Sequence, residues 1–449
     1  MKSAIDDMLE FDAIYRSDGP GYVQFRRYFL KKCEKTLNVK FRQNTYLPLR
    51  ILLLETTRNK AKHSLNDLWM LLHTRRMKTP TILSMPTDDV EPILWHKACP
   101  TLNAPGPISS MHFAPLSTEK FAYSTLDGSL HFAVIAEDQL RPNGRISVPS
   151  VAFLKFEWIL DNLIIGFSVT TSAYILCGEN RICELVLPAP PSEVIKYPNG
   201  EAIAIIGTHL GYVFSVDLSD LTIGLGESAL GFTQDLSSTT LSKYDCEVTR
   251  VHNAKKQISA LASVKGSETI VCGTSDGDID IVWIEMKTVK KRGRVFTELK
   301  AKSATRISAA RYTSSPKSTS VDSLSMIMIS DNDSNSYTDF IFYNTRNEMA
   351  ALLQMKDSIK HAQLVKSYRV PSLRAKCPCA INNFRGNWVW VCGTDMGDLI
   401  VCDKGEEPTI LTMHESAIVS VEFVPNSHMF LAADVTGLIS FWAKTENQP

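Results

Sequence analysis

Short apolar runs, each followed by a glycine-containing turn and a second run in which apolar and polar positions alternate, recur along this chain. The clearest are STLDGSLHFAV (124–134), GTHLGYVFSVD (207–217), GTSDGDIDIVW (273–283), GTDMGDLIVCD (393–403) and AADVTGLISFW (432–442). Alternation with period two is the pattern of a strand with one face buried, and glycine supplies the positive φ that a tight two-residue hairpin requires. Two fainter copies, GFSVTTSAYIL (166–176) after VAFLKFEW and ISDNDSNSYTDFIFY (329–343) after TRISAARY, fill the gaps. Gly397 and Gly437 stand 40 residues apart, and Gly128 and Gly211 stand 83 apart, about two units. A period near 40 with several short strands per unit predicts an all-β fold, a seven-bladed β-propeller.

The last unit runs from AIVSVEF through its hairpin to the end of the sequence without a fourth strand. An open edge there is a liability, so an earlier strand is expected to complete the blade, and PILWHKA (92–98) is the candidate. The expected organisation is a basic helical extension over 1–80, a linker with the closing strand over 81–104, and the propeller over 105–449. In the extension, Tyr22, Phe25, Phe29, Cys33 and Leu37 recur at helical spacing. A second helix is expected over 65–77, opened by Ser64 and ended before Pro80, with Leu65, Leu68, Trp69 and Leu72 on its apolar face.

The units resemble the WD repeat in a worn form. Trp442 stands at the repeat's terminal Trp, Asp217 and Asp403 at its Asp, and His414 at its loop His, but Thr436 replaces the turn Asp. The His, Ser/Thr, Asp and Trp network of the repeat is therefore expected to be incomplete in every blade. FDAIYRSDGPGYVQFRRYFLKK near the start, and NNFRGNWVWVCGTDMGDLIVCD and HESAIVSVEFVPNSHMFLAADVTGLISFW near the end, resemble the family of WD repeat-containing protein thirteen. That resemblance implies a non-enzymatic, mainly nuclear adaptor connected with transcriptional regulation.

Composition changes the picture little: 44% hydrophobic and 21% charged residues describe an ordinary globular chain. The net charge of zero hides an asymmetry, since residues 1–80 hold 16 of the 48 basic residues but only 8 of the 48 acidic ones. Arg26, Arg27, Lys31 and Lys35 lie off the apolar stripe of the first helix and are the candidate partner-binding residues. The plainer reading packs both helices on the propeller with these basic faces solvated; the sharper one has them grip a protein or bind nucleic acid directly, the latter being the alternative reading of the chain. Lys290, Lys291, Arg292 and Arg294 form a second basic cluster, read either as a nuclear import signal or as the solvated tip of a long hairpin leaving blade four. The acidic start MKSAIDDMLEFD lacks the form of a secretory signal, so the ten cysteines are expected in a reducing compartment as packed thiols. Nucleus, with a cytoplasmic pool, is the expected location.

No catalytic, cofactor or metal residues are expected. GESALGFT (226–233) has the glycine spacing of a phosphate loop but carries Phe232 where the lysine belongs, and it is expected to be a surface insertion between blades three and four. Cys377 and Cys379, with Cys392 and Cys402 approaching across blade six, lack the C-x₂₋₄-C spacing of a zinc knuckle. A hydrolase with an unrecognised site is the least favoured reading. The Ser- and Thr-rich inserts at 223–250 and 312–323 are expected at the surface.

Overall fold

The computed structural model describes residues 95–444, except 116, 137–138, 149–150, 169, 178–180, 201, 223–232, 236–240, 244–247, 292–293, 310–319, 331–336, 347–348, 357–360, 371–375, 385–386 and 404–407. Both expected N-terminal helices, with Arg26, Arg27, Lys31 and Lys35, lie outside the described residues.

Apart from one helical turn, Ser219–Thr222, the described elements are strands, arranged as seven sheets in a seven-bladed β-propeller. Trp95–Lys97 (β1) and Leu102–Asn103 (β2) precede blade 1, which is Ile108–Phe113 (β3), Lys120–Thr125 (β4), Ser129–Ala136 (β5) and Gln139–Ser147 (β6). Blade 2 is Lys155–Leu160 (β7), Leu163–Phe167 (β8), Ser172–Cys177 (β9) and Arg181–Val186 (β10). Blade 3 takes Pro191–Lys196 (β11), Ile203–Thr208 (β12) and Tyr212–Asp217 (β13). The chain then runs through Thr233–Asp235 (β14) and Leu241–Lys243 (β15) before Val248–Asn253 (β16) completes that blade. Blade 4 is Ile258–Ala262 (β17), Thr269–Thr274 (β18), Asp278–Lys291 (β19) and Arg294–Ser308 (β20). Blade 5 is Val321–Ser330 (β21), Tyr337–Thr345 (β22), Met349–Lys356 (β23) and His361–Arg369 (β24). Blade 6 is Cys379–Phe384 (β25), Asn387–Gly393 (β26), Asp398–Asp403 (β27) and Thr409–Thr412 (β28); Ile418–Phe423 (β29), Phe430–Asp434 (β30) and Leu438–Lys444 (β31) open blade 7.

The ring closes as the strand count predicts. β1 pairs antiparallel with β31, Trp95 opposite Lys444 and Lys97 opposite Trp442, so the fourth strand of blade 7 comes from the segment expected over 92–98. Ala98 N–H adds a bond to Phe441 O at 2.8 Å, β2 pairs with the start of β31, and Trp95 packs its ring 5.4 Å from Phe430.

Burial explains why a single blade does not suffice. Each of the seven apolar clusters in the structure lies between two consecutive blades, for example Ile203, Ile205 and Val213 of blade 3 against Ile258, Ile270 and Val282 of blade 4. The cluster that spans the closure joins Leu431 and Phe441 to Met111 and Phe121. A blade is thus apolar on both faces, and only a ring covers every face.

The turn between second and third strands departs from the two-residue hairpin. Gly128, Gly211, Gly277, Gly397 and Gly437 have φ between 85° and 104°, as five turns with glycine require. In four of them the glycine is the third loop residue, its N–H bonded to the last residue of the second strand, as Gly211 N–H is to Thr208 O at 3.1 Å; Gly397 is the fourth, bonded to Thr394 O at 3.4 Å. A three-residue loop ending in a left-handed glycine is the longer solution to the same twist problem.

Three expectations are corrected. The insert after Asp217 lies within blade 3, between its third and fourth strands, and not between blades three and four. ISDNDSNSYTDFIFY spans the turn between the first and second strands of blade 5, one strand earlier than aligned, and Thr305–Ser308 of TRISAARY ends the outer strand of blade 4. Both errors have one cause, since polar turns and alternating strands look the same at every position in a blade. The third is the expectation that every blade lacks a complete His, Ser/Thr, Asp and Trp network, which blade 7 overturns.

Candidate functional site

The seven innermost strands β3, β7, β11, β17, β21, β25 and β29 surround a central channel of about 780 Å³. Five of them carry a β-bulge at their second residue, at Ile108/Ser110, Pro191/Glu193, Ile258/Ala260, Val321/Ser323 and Ile418/Ser420. At these bulges serine hydroxyls bind the neighbouring inner strand or the segment leading into it. Ser109 Oγ donates to Phe153 O at 2.9 Å, Ser192 Oγ to Ile258 O at 2.7 Å, Ser259 Oγ to Val321 O at 2.6 Å and Ser420 Oγ to Met111 O at 3.2 Å. The extra residue of a bulge re-aims a side chain, and here it aims a donor at the next blade.

Charged groups line the channel in two groups. Near the start of the inner strands, Lys376 from the link into blade 6 reaches across to Glu193 of blade 3 and donates to Ser259 O of blade 4 at 2.6 Å. Lys155 of blade 2 stands 3.9 Å from the same carboxylate. Burial works to raise the Glu193 carboxyl, but the two ammoniums outweigh it and hold the group below its ordinary value. Glu193 attracts Lys155 in turn, yet burial and the charge of Lys376 bring that lysine below its usual value. Asp322, buried and bound by Arg346 Nη2 at 3.0 Å, is raised by burial despite that partner.

Deeper in the channel, His112 of blade 1 faces carboxylates from both neighbours. Its Nδ1 lies 3.2 Å from Glu422 Oε2 of blade 7 and 3.9 Å from Glu157 Oε2 of blade 2, while Nε2 meets Ser110 Oγ at 3.0 Å. Burial depresses the imidazole, but Glu157 and Glu422 together overcome it and raise its pKa to about 8. Burial pushes Glu157 up to about 7 against the pull of His112. Trp158 Nε1 donates to His112 O at 3.3 Å, so the histidine is tied to blade 2 through its backbone as well.

Because each blade is an antiparallel meander, the glycine turns and the links between blades share one face, the face onto which the Lys376 mouth opens. Leu126 and Leu210 project from two of these turns, 37% and 58% exposed. Lys255, at φ 63°, and Lys256, ion-paired to Asp276 at 2.8 Å, stand on the same side.

One complete polar network stitches blade 7, which overturns the expectation that every blade lacks one. His414 Nδ1 lies 2.9 Å from Asp434 Oδ2, its Nε2 lies 2.7 Å from Ser440 Oγ, and Trp442 Nε1 donates to Ser440 Oγ at 2.8 Å. The aspartate is Asp434, two residues before Thr436. Thr436 is not a substitute for it but a donor to it, through Oγ1 at 2.6 Å and N–H at 2.9 Å. Blade 4 has a variant in which His252 Nε2 meets Asp280 Oδ2 at 2.8 Å and Arg306 binds the same carboxylate through Nε at 2.6 Å and Nη2 at 2.7 Å.

The second basic cluster sits where the hairpin reading put it. β19 and β20 pair from Asp278↔Ser308 out to Lys291↔Arg294, Lys290 is exposed beside the tip, and Arg292 lies outside the described residues. The hairpin leans on blade 3, with Leu299 buried beside Val213 and Val251 and Thr297 N–H bonded to Asp217 Oδ2 at 2.5 Å. Cys379 faces Cys392 across the β25–β26 ladder, while Cys402 faces Trp390 and its thiol points to the Tyr368 hydroxyl at 3.6 Å. All eight described cysteines are buried free thiols, and burial pushes Cys379 up to about 12, far from nucleophilic. Residues 226–232 of the phosphate-loop look-alike lie outside the described residues.

No family model matches the chain, and no curated protein matches it in sequence. Among solved structures, the β-propeller domain of Myceliophteria thermophila Cps50 (Swd1) is similar, with a TM-score of 0.50 at 10% identity, covering 77% of this chain and 98% of that one. The likeness is one of fold.

Proposed function

We propose that the chain is a non-catalytic adaptor in a nuclear, transcription-regulatory complex, with a pool in the cytoplasm. A partner protein docks on the turn face around the channel mouth, and the basic N-terminal extension engages a second partner. The observation that carries this reading is the contrast between the two parts of that site. The channel's acids and bases are turned on one another, blade to blade, whereas Leu126 and Leu210 present apolar surface outward on a rigid rim. A β-propeller fits a protein-interaction scaffold. The nuclear and transcriptional parts of the reading draw on the family resemblance of the sequence.

The test is affinity purification from nuclear and cytosolic fractions, comparing the full chain with its Leu126→Asp/Leu210→Asp variant at low and high salt. Nuclear regulatory proteins retained through high salt by the parent and lost by the variant are the expected result, because apolar docking is insensitive to screening. Recovery of nucleic acid alone, released by salt, replaces this reading with direct binding through the basic extension.

A further inference from the structure

Blades 1 and 2 each carry a fifth strand, and both come from the insert in blade 3. The chain leaves blade 3 after Asp217, lays β14 along β6 of blade 1, lays β15 along β10 of blade 2, and only then supplies β16. Both additions are parallel, Thr233–Asp235 against Arg145–Ser147 and Leu241–Lys243 against Ile182–Glu184. Among the described residues, the outer strands β16, β20, β24, β28 and β1 take no such partner. An outermost strand presents a row of backbone donors and acceptors, and any extended segment able to follow it can pair there.

The strap uses little of either edge. It covers three of the nine residues of β6 and three of the six of β10. Arg141 and Arg145 are exposed on β6, and Val186, 57% exposed, ends β10 beyond the covered part. Thr233 and Leu241 are only eight positions apart, so one continuous segment crosses both edges.

We infer that the outer edges of blades 1 and 2 are a strand-docking site for an extended segment of a partner protein, and that the strap is its resident occupant. The segment runs parallel to β6 and β10, carries acidic residues where it passes Arg141 and Arg145, and places an apolar residue at Val186. A segment that pairs along more of both edges replaces two three-residue contacts with longer ladders. This site lies at the rim and goes beyond docking on the turn face, so each reading stands or falls without the other.

The test uses the full chain and a labelled synthetic peptide of residues 231–245 as probe. Gln234→Pro/Ser242→Pro removes ladder donors from the strap. Ser242→Cys places a thiol opposite the native Cys183, and its oxidation locks the strap onto blade 2. The expected result is peptide affinity at least tenfold higher for the proline variant than for the parent, with no binding to the locked form. Equal affinity for all three forms, or no binding to a folded proline variant, overturns the proposal. Hydrogen exchange on the unaltered chain decides the matter should the proline variant not fold. Strap amides at 233–235 and 241–243 are expected to exchange at least a hundredfold faster than those of β5 and β9, and exchange as slow as theirs refutes a displaceable strap.

Discussion

His112 holds three blades together at a single imidazole, and its protonation state is therefore a matter of stability. Its folded pKa of about 8 lies above the ordinary 6.5, so its contribution is fully present below pH 6.5 and is lost as pH rises through 8. Glu157, raised from 4.5 to about 7, acts in the same direction, because the folded chain again holds a proton that the unfolded chain releases. Stability should thus fall as pH rises from about 5 to 8.5, with up to about 2 kcal/mol from the imidazole at roughly 1.36 kcal/mol per pKa unit. Calorimetric melting across that range should show a shallower decline for His112→Gln than for the parent, and parallel curves would show that the imidazole does not carry the effect. Nothing in the sequence marked His112, because its partners are 45 and 310 residues away and only the closed ring brings them to it. Asp434 was overlooked for a different reason, since Thr436 stood in the slot where an aspartate was sought.

At the scale of the element, the Gly-Thr that precedes the turn in blades 3, 4 and 6 has a packing cause. A Cβ on Gly207 would lie 2.6 Å from Ile258 Cγ2, one on Gly273 2.7 Å from Val321 Cγ1, and one on Gly393 2.6 Å from Ile418 Cβ. In each case the neighbour is the β-branched residue that opens the next inner strand. The threonine that follows closes the loop, as Thr208 Oγ1 accepts the Tyr212 N–H at 3.0 Å, Thr274 the Asp278 N–H at 3.0 Å and Thr394 the Asp398 N–H at 2.9 Å. Gly207→Ala should accordingly cost ~1–3 kcal/mol as an overpacked blade junction, measured by urea unfolding. A loss below about 0.5 kcal/mol would mean that Ile258 yields freely. The turn glycine made five blades legible in the sequence, and this dipeptide precedes it in three of them. Blade 5 was misaligned because Asn344 takes the glycine's place and binds Cys377 O at 2.8 Å, so the marker is missing there. The strap was invisible because three-residue strands are too short to show a period, and pairing through the backbone asks little of side chains.

For the whole molecule, the decisive contact is β1 with β31. The closing strand was readable from a count of strands, which needed only the principle that a sheet edge is not left open. His96→Pro removes a donor from that three-residue ladder and should cost about 1–3 kcal/mol, read as a lower urea midpoint together with faster proteolysis of β1. An unchanged midpoint would show that the hydrophobic seat of Trp95 closes the ring without the ladder. The same contact dictates an order of events during synthesis. Trp95 leaves the ribosome well before its partner Lys444, which is made about 350 residues later. At about 5–20 residues per second the wait lasts tens of seconds. Throughout it the nascent chain carries an unpaired closing strand, with the ring of Trp95 unseated, at one end of a growing arc and an unfinished blade at the other. The protein is therefore expected to lean on chaperones at its birth, and a message truncated before Leu438 should yield a product that aggregates instead of a smaller ring.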